Sequence, residues 1–387
     1  RVRRDAVMKI GISAVYFASG GSLTNLVQLL REWRLSGALD AHRVVLFASP
    51  AAVDALRARL DGETLRGIGI ELLGSRGRGL LARLLAEQIL LPRRLREHAI
   101  DVVFCPANVI PYFTPVPSVV TFQNAAPFCE SVTLRSLRHL GWWLRFRLLG
   151  LLIRASARRA ARVIFISAWF RERLASRIGF PRERGEVIPR ARLDVRAASP
   201  MSPASPPVLL YVSHLNPYKN VLEVIDAFAA ANVPEWRLVL AGRTNFPWYR
   251  RAIVARIVRH RLQDRVTLAG EVDGAAVETL LAGASAFVFA STCENCPTAL
   301  IEALSYGLPV ACSKAGVMPE VAGDAVAYFD PRDAGSLRAA LHRMMTDAAF
   351  RAELARRARA RALEFPDARD VAARTLAAIE RAAGARA

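Results

Sequence analysis

ASAFVFASTCENCPTALIEALSYGLPVACSKAGVMP, residues Ala284 to Pro319, reads as strand, loop, helix, strand and loop. Ala286–Ala290 is an apolar run of strand length, and Ser291–Pro297 is a polar loop with one carboxylate, Glu294. Pro297 suits the first position of a helix, where its missing N–H costs nothing. The helix Thr298–Tyr306 carries a second carboxylate, Glu302, and Gly307 supplies the left-handed residue that ends it. Leu308–Ser313 is then the next buried strand. A helix that starts at the carboxyl end of a strand aims free N–H groups and the positive end of its dipole at one spot, an anion site. On one continuous helix the two glutamates would stand ~80° apart and ~12 Å along the axis. With Glu294 in the loop and Glu302 on the helix, both face one pocket. The stretch predicts a nucleoside diphosphate there, with a sugar beyond it.

Glu294-x7-Glu302, followed by E-A-L-x-x-G-L-P-V-A, resembles the signature of retaining GT-B glycosyltransferases that use nucleotide sugars. The resemblance implies that Glu302 holds the ribose hydroxyls and that Glu294 contacts the donor sugar. It also implies that the backbone of Pro297, Thr298, Ala299 and Leu300 meets the phosphates. Asn295-Cys296-Pro297 departs from the pattern, because many members carry a glycine-containing loop there.

The 387 residues suffice for two domains with separate cores, and 53% hydrophobic with 23% charged residues describes a globular chain. No run approaches the ~18 apolar residues of a membrane span. The first residues, Arg1 to Val7, lack the apolar centre of a secretion signal, and Met8-Lys9-Ile10 looks like the true start of the first strand. Cys105, Cys129, Cys293, Cys296 and Cys312 are an odd, scattered set, which argues for a reducing, cytoplasmic compartment. Cys293-Glu-Asn-Cys296 has no second pair for zinc, so it reads as incidental. The six histidines form no metal-binding pattern, and neither a metal nor a cofactor is expected.

Net charge is +20 and uneven. Residues 1–195 hold 31 Lys and Arg against 15 Asp and Glu, and the remainder 23 against 19. A basic first half predicts an anionic partner for it. Ser131–Arg162 concentrates the effect, with eight arginines, no acid, two tryptophans and many leucines. Arg147, Arg154, Arg158 and Arg162 fall on one helical face, with Leu149, Leu152, Ile153 and Ala160 opposite. Such a helix suits the surface of an anionic inner leaflet, and Leu80–Arg96 extends the same surface. No element that reads nucleic acid is present, so nucleic acid is not expected as a partner.

Strand-like runs at Val7–Ile12, Arg43–Ala48, Ile68–Leu73, Val102–Cys105, Val119–Phe122 and Val163–Ile166 alternate with helical stretches. The alternation predicts a parallel sheet covered on both faces. Ser19-Gly20-Gly21-Ser22 forms the first strand-to-helix turn but is not G-x-G-x-x-G, which disfavours a dinucleotide. Thr121-Phe-Gln123-Asn124 follows a strand end, where such sheets place ligands. By resemblance, Gly20, Gly21, Gln123 and Asn124 stand on the acceptor side. Gln123 takes a place where relatives often carry histidine, and F-Q-N-x-x-P-F is similar to members that build bacterial surface polysaccharides.

Val187–Pro189 reads as the last strand of the first domain, and Ala197–Pro207, rich in Pro, Ser and Ala, as the linker. Val208–Ser213 opens the second domain. His214 and Lys219 lie on its exit loop, ahead of a helix, where a lysine meets phosphate as a point charge. The family pattern is glycine-arginine with lysine five residues after the arginine. Lys219 matches the lysine, while Ser213 and His214 replace the other two. Arg237–Gly242 and Val266–Ala269 are further strands. Gly242 and Gly270 stand where a nucleotide can approach backbone, and the resemblance places Val272 against the base.

The resemblance covers nearly the whole chain. It implies an α/β protein of the GT-B kind, two Rossmann-like domains with parallel sheets facing across a cleft. The boundaries read as 8–196, 207–366, and a C-terminal helix, 367–387, that returns to the N-terminal domain. The implied activity is retaining, metal-independent transfer of a sugar from a nucleoside-diphosphate sugar to a hydroxyl, the acceptor being a glycan or lipid-linked glycan. Glu294, Lys219 and His214 are the implied catalytic residues. The alternatives are another GT-B chemistry, as in a nucleotide-sugar epimerase or phosphorylase, or a non-catalytic membrane-associated protein that binds sugar nucleotides.

Overall fold

The computed structural model describes residues 7–15, 21–74, 85–129, 132, 140–193 and 205–384. They divide into two compact units. The first comprises residues up to Ala125, Leu144–Ala191 and Pro366–Ala387; the second comprises Ala126–Trp143 and Arg192–Phe365. The turn at Ser19–Gly20 and most of the expected linker lie outside the described residues, as do residues 80–84, 131 and 133–139 of the two basic stretches.

The first unit is built on seven parallel strands, β1 Lys9–Ala14, β2 Arg43–Ala48, β3 Ile68–Leu72, β4 Val102–Cys105, β5 Ser118–Phe122, β6 Arg162–Phe165 and β7 Gly185–Val187. Their order is β3-β2-β1-β4-β5-β6-β7. Helices cover both faces, so β4 and β5 are buried at every residue and read as continuous apolar runs instead of alternating ones. Trp33, Phe47, Phe122, Phe165 and Phe170 fill this core. The C-terminal helix Ala368–Gly384 belongs to it, burying Ala372, Ala378 and Ile379, and the Trp33 indole donates to Ala372 O at 3.1 Å. Arg374 donates to Val187 O at 2.7 Å.

The second unit holds six parallel strands, β8 Val208–Val212, β9 Arg237–Ala241, β10 Val266–Gly270, β11 Ala286–Phe289, β12 Val310–Ser313 and β13 Ala327–Phe329. The order is β10-β9-β8-β11-β12-β13, so the chain switches direction across the sheet between β8 and β11. At such a switch the exit loops of two neighbouring strands part and leave a crevice at their carboxyl ends. Tyr211, Phe228, Phe287, Phe289 and Phe329 are fully buried around the sheet.

Local chemistry sets most boundaries. Ser167, Asp273 and Asp347 each cap a helix by accepting the amide three positions on, from Phe170, Ala276 and Phe350. Gly307 adopts φ 66°, the left-handed ending read from its position after Tyr306.

Several expectations are corrected. The last strand of the first unit is Gly185–Val187, two residues earlier than Val187–Pro189, because Pro189 has no N–H for a ladder. β13 carries no strong apolar alternation and was not legible. Pro297 is the residue before the helix Thr298–Ser305, not its first member. Arg162 heads β6, and its guanidinium donates to Glu183 O, so it does not extend the arginine face of the helix Leu140–Arg159. Most visibly, the cysteines are not all free: Cys129 and Cys293 form a disulfide across 164 residues, within the second unit. Spacing along the chain could not reveal that pairing.

Candidate donor and acceptor sites

Lys219 and Glu294, two of the residues expected on the donor side, meet at the β8/β11 switch. Lys219 ends the short turn Pro217–Lys219 after β8, and Glu294 lies in the loop after β11. Neighbouring strands bring these loops together, and the Lys219 ammonium donates to the Glu294 carboxylate. Both side chains are largely buried. Burial, the largest single influence, pulls the Lys219 amine down, but the Glu294 charge, Tyr218 and the hydrogen bond to Glu294 together outweigh it, and the amine is held above its ordinary value. The cation also lies 5.3 Å from the Tyr218 ring centre and 5.7 Å from that of Phe289.

The loops are fastened to one another and to the sheet. Tyr211 Oη donates to Lys219 O at 2.9 Å, and Thr292 donates to Tyr218 O from both its amide, at 2.9 Å, and its hydroxyl, at 3.0 Å. The disulfide anchors Cys293 beside Glu294. The cation and the carboxylate therefore sit on rigid backbone.

Glu302 stands on the second turn of the helix Thr298–Ser305, half-buried. Burial, and then the Glu278 charge, raise its carboxyl above the usual range. Its carboxylate makes no hydrogen bond to any described residue, so the carboxylate oxygens remain available to donors such as hydroxyls. The amides of Thr298 and Ala299 open the same helix, while those of Leu300 and Ile301 turn back to Pro297 O.

His214 follows β8. Burial, then Arg243 and Lys219, lower its imidazole below the ordinary value, so near neutrality it is an uncharged donor or acceptor. Gly242 is packed against this loop, and a Cβ there would lie 1.8 Å from Ser213 O at a φ of 135°. Only glycine fits. Gly270 also has positive φ, and Val272 follows it in the loop before the helix Gly274–Gly283.

Sequence reasoning missed Arg243. It directly follows Gly242, and its carbonyl accepts from the Leu215 amide at 2.9 Å. Its guanidinium is half-exposed, 3.7 Å from the exposed Glu271. A cation therefore stands beside His214, next to the place where the resemblance expects an arginine. The glycine's position at the strand end was the available signal.

In the first unit, Gln123 is a hub. Its side-chain oxygen accepts from the Ser22 hydroxyl and from Arg190 at 3.3 Å, and its amide donates to Pro106 O. Asn108, left-handed at φ 69°, accepts from the Gln123 and Asn124 amides at 2.7 and 2.9 Å. Ser22, Asn25, Gln28, Thr121, Gln123, Arg190 and Thr375 provide the polar lining of a cavity at the strand ends. Gly21 begins the helix Gly21–Leu35; Gly20 lies outside the described residues. Arg190 was not singled out in the sequence, where it looks like one more arginine in a basic half.

Among the described residues no three His, Cys, Asp or Glu side chains are grouped to hold a metal ion. No described helix is long and apolar enough to cross a membrane.

The family model for Glycosyl transferases group 1 matches residues 197–361, and that for Glycosyltransferase Family 4 matches residues 19–191. O-antigen chain mannosyltransferase B of Escherichia coli is 28% identical over 159 residues, 40% of this chain and 41% of that protein's length. HepE of Anabaena, solved with UDP and glucose, superposes with TM-score 0.72 at 22% identity, over 96% of this chain and 99% of that one. WaaG, a glycosyltransferase involved in lipopolysaccharide biosynthesis, superposes with TM-score 0.72 at 16% identity, again over 96% and 99%. Two parallel-sheet units, matched almost end to end by glycosyltransferase families, make this chain a member of the GT-B glycosyltransferases.

Proposed function

We propose that the protein moves a sugar from a nucleoside-diphosphate sugar to a hydroxyl of a lipid-linked glycan in bacterial polysaccharide assembly, with retention and without a metal ion. One observation carries the reading: a buried lysine and a buried carboxylate meet at the switch point of the second sheet, on the exit loops that such sheets use for ligands. The relatives' printed roles, O-antigen mannosyl transfer and lipopolysaccharide synthesis, support the setting. The complexes of HepE with UDP support the donor class.

In this reading Lys219 and the first amides of the helix Thr298–Ser305 take up the charge of the departing diphosphate. Glu302 accepts the ribose hydroxyls. Glu294 holds the sugar and favours the positive charge that grows on its ring. The bond from the anomeric carbon to the phosphate oxygen breaks, and the acceptor oxygen bonds to that carbon on the same face. The acceptor proton passes to the leaving phosphate oxygen. Neutral His214 contributes a hydrogen bond, and Arg243 supplies a positive field.

Thermal-shift titration with UDP, GDP and ADP tests the donor half, since bound nucleotide raises apparent stability. No shift with any of them sinks the assignment. Glu294→Gln should lower transfer by about 10²–10³ while nucleotide still shifts the melting point. The anomeric configuration of the product, read by NMR, tests retention.

A further inference from the structure

Glu294 directly follows one half of the disulfide, Cys293. Its loop begins well fastened: Ser313 donates to Ser291 O, Ser291 Oγ donates to Cys293 O at 3.1 Å, and Thr292 donates to Tyr218 O. The other half, Cys129, sits on a stretch of different origin. Ala126–Trp143 belongs to the second unit, yet the chain on both sides of it, through Ala125 and from Leu144, belongs to the first. Its attachments include the buried Phe128 side chain, the Trp142 ring with its centre 4.9 Å from that of Phe246, and the disulfide. The disulfide is the attachment that ends on the Glu294 loop.

The remaining cysteines point to a bond that opens and closes. Chains that live among oxidants pair their cysteines, whereas here Cys105, Cys296 and Cys312 keep free thiols. A disulfide that coexists with reductant is usually a catalytic or redox-sensing one. Cys105 and Cys312 are buried, which pushes both thiols up and keeps them protonated and unreactive. Cys129, Cys293 and the half-buried Cys296 are left to respond.

We propose that the Cys129–Cys293 bond is a redox-modification site that governs the donor loop, with a dithiol reductant as its reactant. In the reaction the S–S bond breaks and each sulfur takes up a proton. The dithiol supplies the two electrons and two protons and closes into its own disulfide. With the bond closed, the backbone beside Glu294 is held and the carboxylate stands preorganised against Lys219. With it open, the loop samples more conformations, and a nucleotide must first order it. The coupling runs both ways: the factor by which the bond raises nucleotide affinity is the factor by which bound nucleotide protects the bond from the dithiol. The proposal rests on the donor-site reading above and adds a control on it.

The test equilibrates the full chain in mixtures of reduced and oxidised dithiothreitol, with and without whichever of UDP, GDP and ADP raises its melting point. Alkylation and peptide mass spectrometry read the fraction of closed bond. The reduced form should bind that nucleotide about fivefold more weakly or worse, and the nucleotide should raise the dithiothreitol ratio at half-reduction by the same factor. Hydrogen exchange over residues 291–297 should quicken on reduction and slow again on reoxidation. Cys129→Ser should reproduce the reduced form without reductant, and Cys296→Ser should respond as the parent does. Equal affinity in the two forms overturns the proposal. So does a bond that opens only when the chain unfolds, or a response lost in Cys296→Ser, which would assign it to the C-x-x-C pair instead. If the oxidised chain binds none of the nucleotides, the donor-site reading falls and this one with it, an outcome distinct from the other three.

Discussion

At the scale of single residues, the Lys219–Glu294 pair sets the chemistry and also carries risk for stability. Removing one partner leaves the other as an uncompensated buried charge, which costs about 3–5 kcal/mol. Lys219→Met should therefore lower stability by roughly that amount in urea unfolding, and Lys219→Met/Glu294→Gln should recover most of it. Transfer activity should stay lost in both. Recovery of folding without recovery of transfer separates the pair's structural role from its catalytic one.

Glu302 gives a pH signature. Its carboxyl is raised in the folded protein, so the protonated form is the one that folding favours. That contribution to stability is present below the unfolded value and is lost as pH rises through the raised folded value. Nucleotide binding runs the other way, because ribose hydroxyls need the ionised acceptor. Affinity for UDP should fall with acidification at a higher pH than an exposed glutamate would give, and Glu302→Gln should flatten that dependence. Titration calorimetry across pH checks this; a pH-independent affinity in the parent protein would refute the role. Arg243→Ala should weaken nucleotide binding about tenfold with little change in stability, since its side chain is half-exposed and loosely paired.

At the scale of elements, the exit loops of β8, β9 and β11 decide whether the site is preorganised. Gly242→Ala drives a Cβ into the Ser213 carbonyl, which backbone cannot yield, so a loss of about 3 kcal/mol or more is expected. Gly307→Ala, also at positive φ, meets only the flexible Arg359 side chain and should cost about 1 kcal/mol. Thermal denaturation of the two variants ranks them. The Cys129–Cys293 bond ties the Glu294 loop to the segment after Phe128. Non-reducing peptide mapping should find the peptides holding these cysteines joined, and Cys105 and Cys312 alkylated only after unfolding, because both are buried.

At the scale of the whole molecule, the C-terminal helix is a core component of the first unit. Truncation after Phe365 would leave the Trp33 indole without its acceptor and strip Ile379 from the core. The truncated chain should lose its first unit cooperatively while the second keeps its fold, visible as loss of one calorimetric transition.

The α/β pattern was legible because buried parallel strands are continuous apolar runs and their turns announce themselves with glycine, proline and capping residues. The Ala284–Pro319 stretch showed its strand, loop and helix from local chemistry alone, down to the left-handed Gly307. Contacts across the fold were not legible. Lys219 meets Glu294, Ser22 meets Gln123 and Cys129 meets Cys293 because strand order places distant loops side by side, and nothing in local spacing encodes that order. The solvent-facing leucines of Leu140–Arg159 were hidden for a related reason. Periodicity shows that a helix has an apolar stripe, but only packing decides which stripe the core takes and which is left exposed.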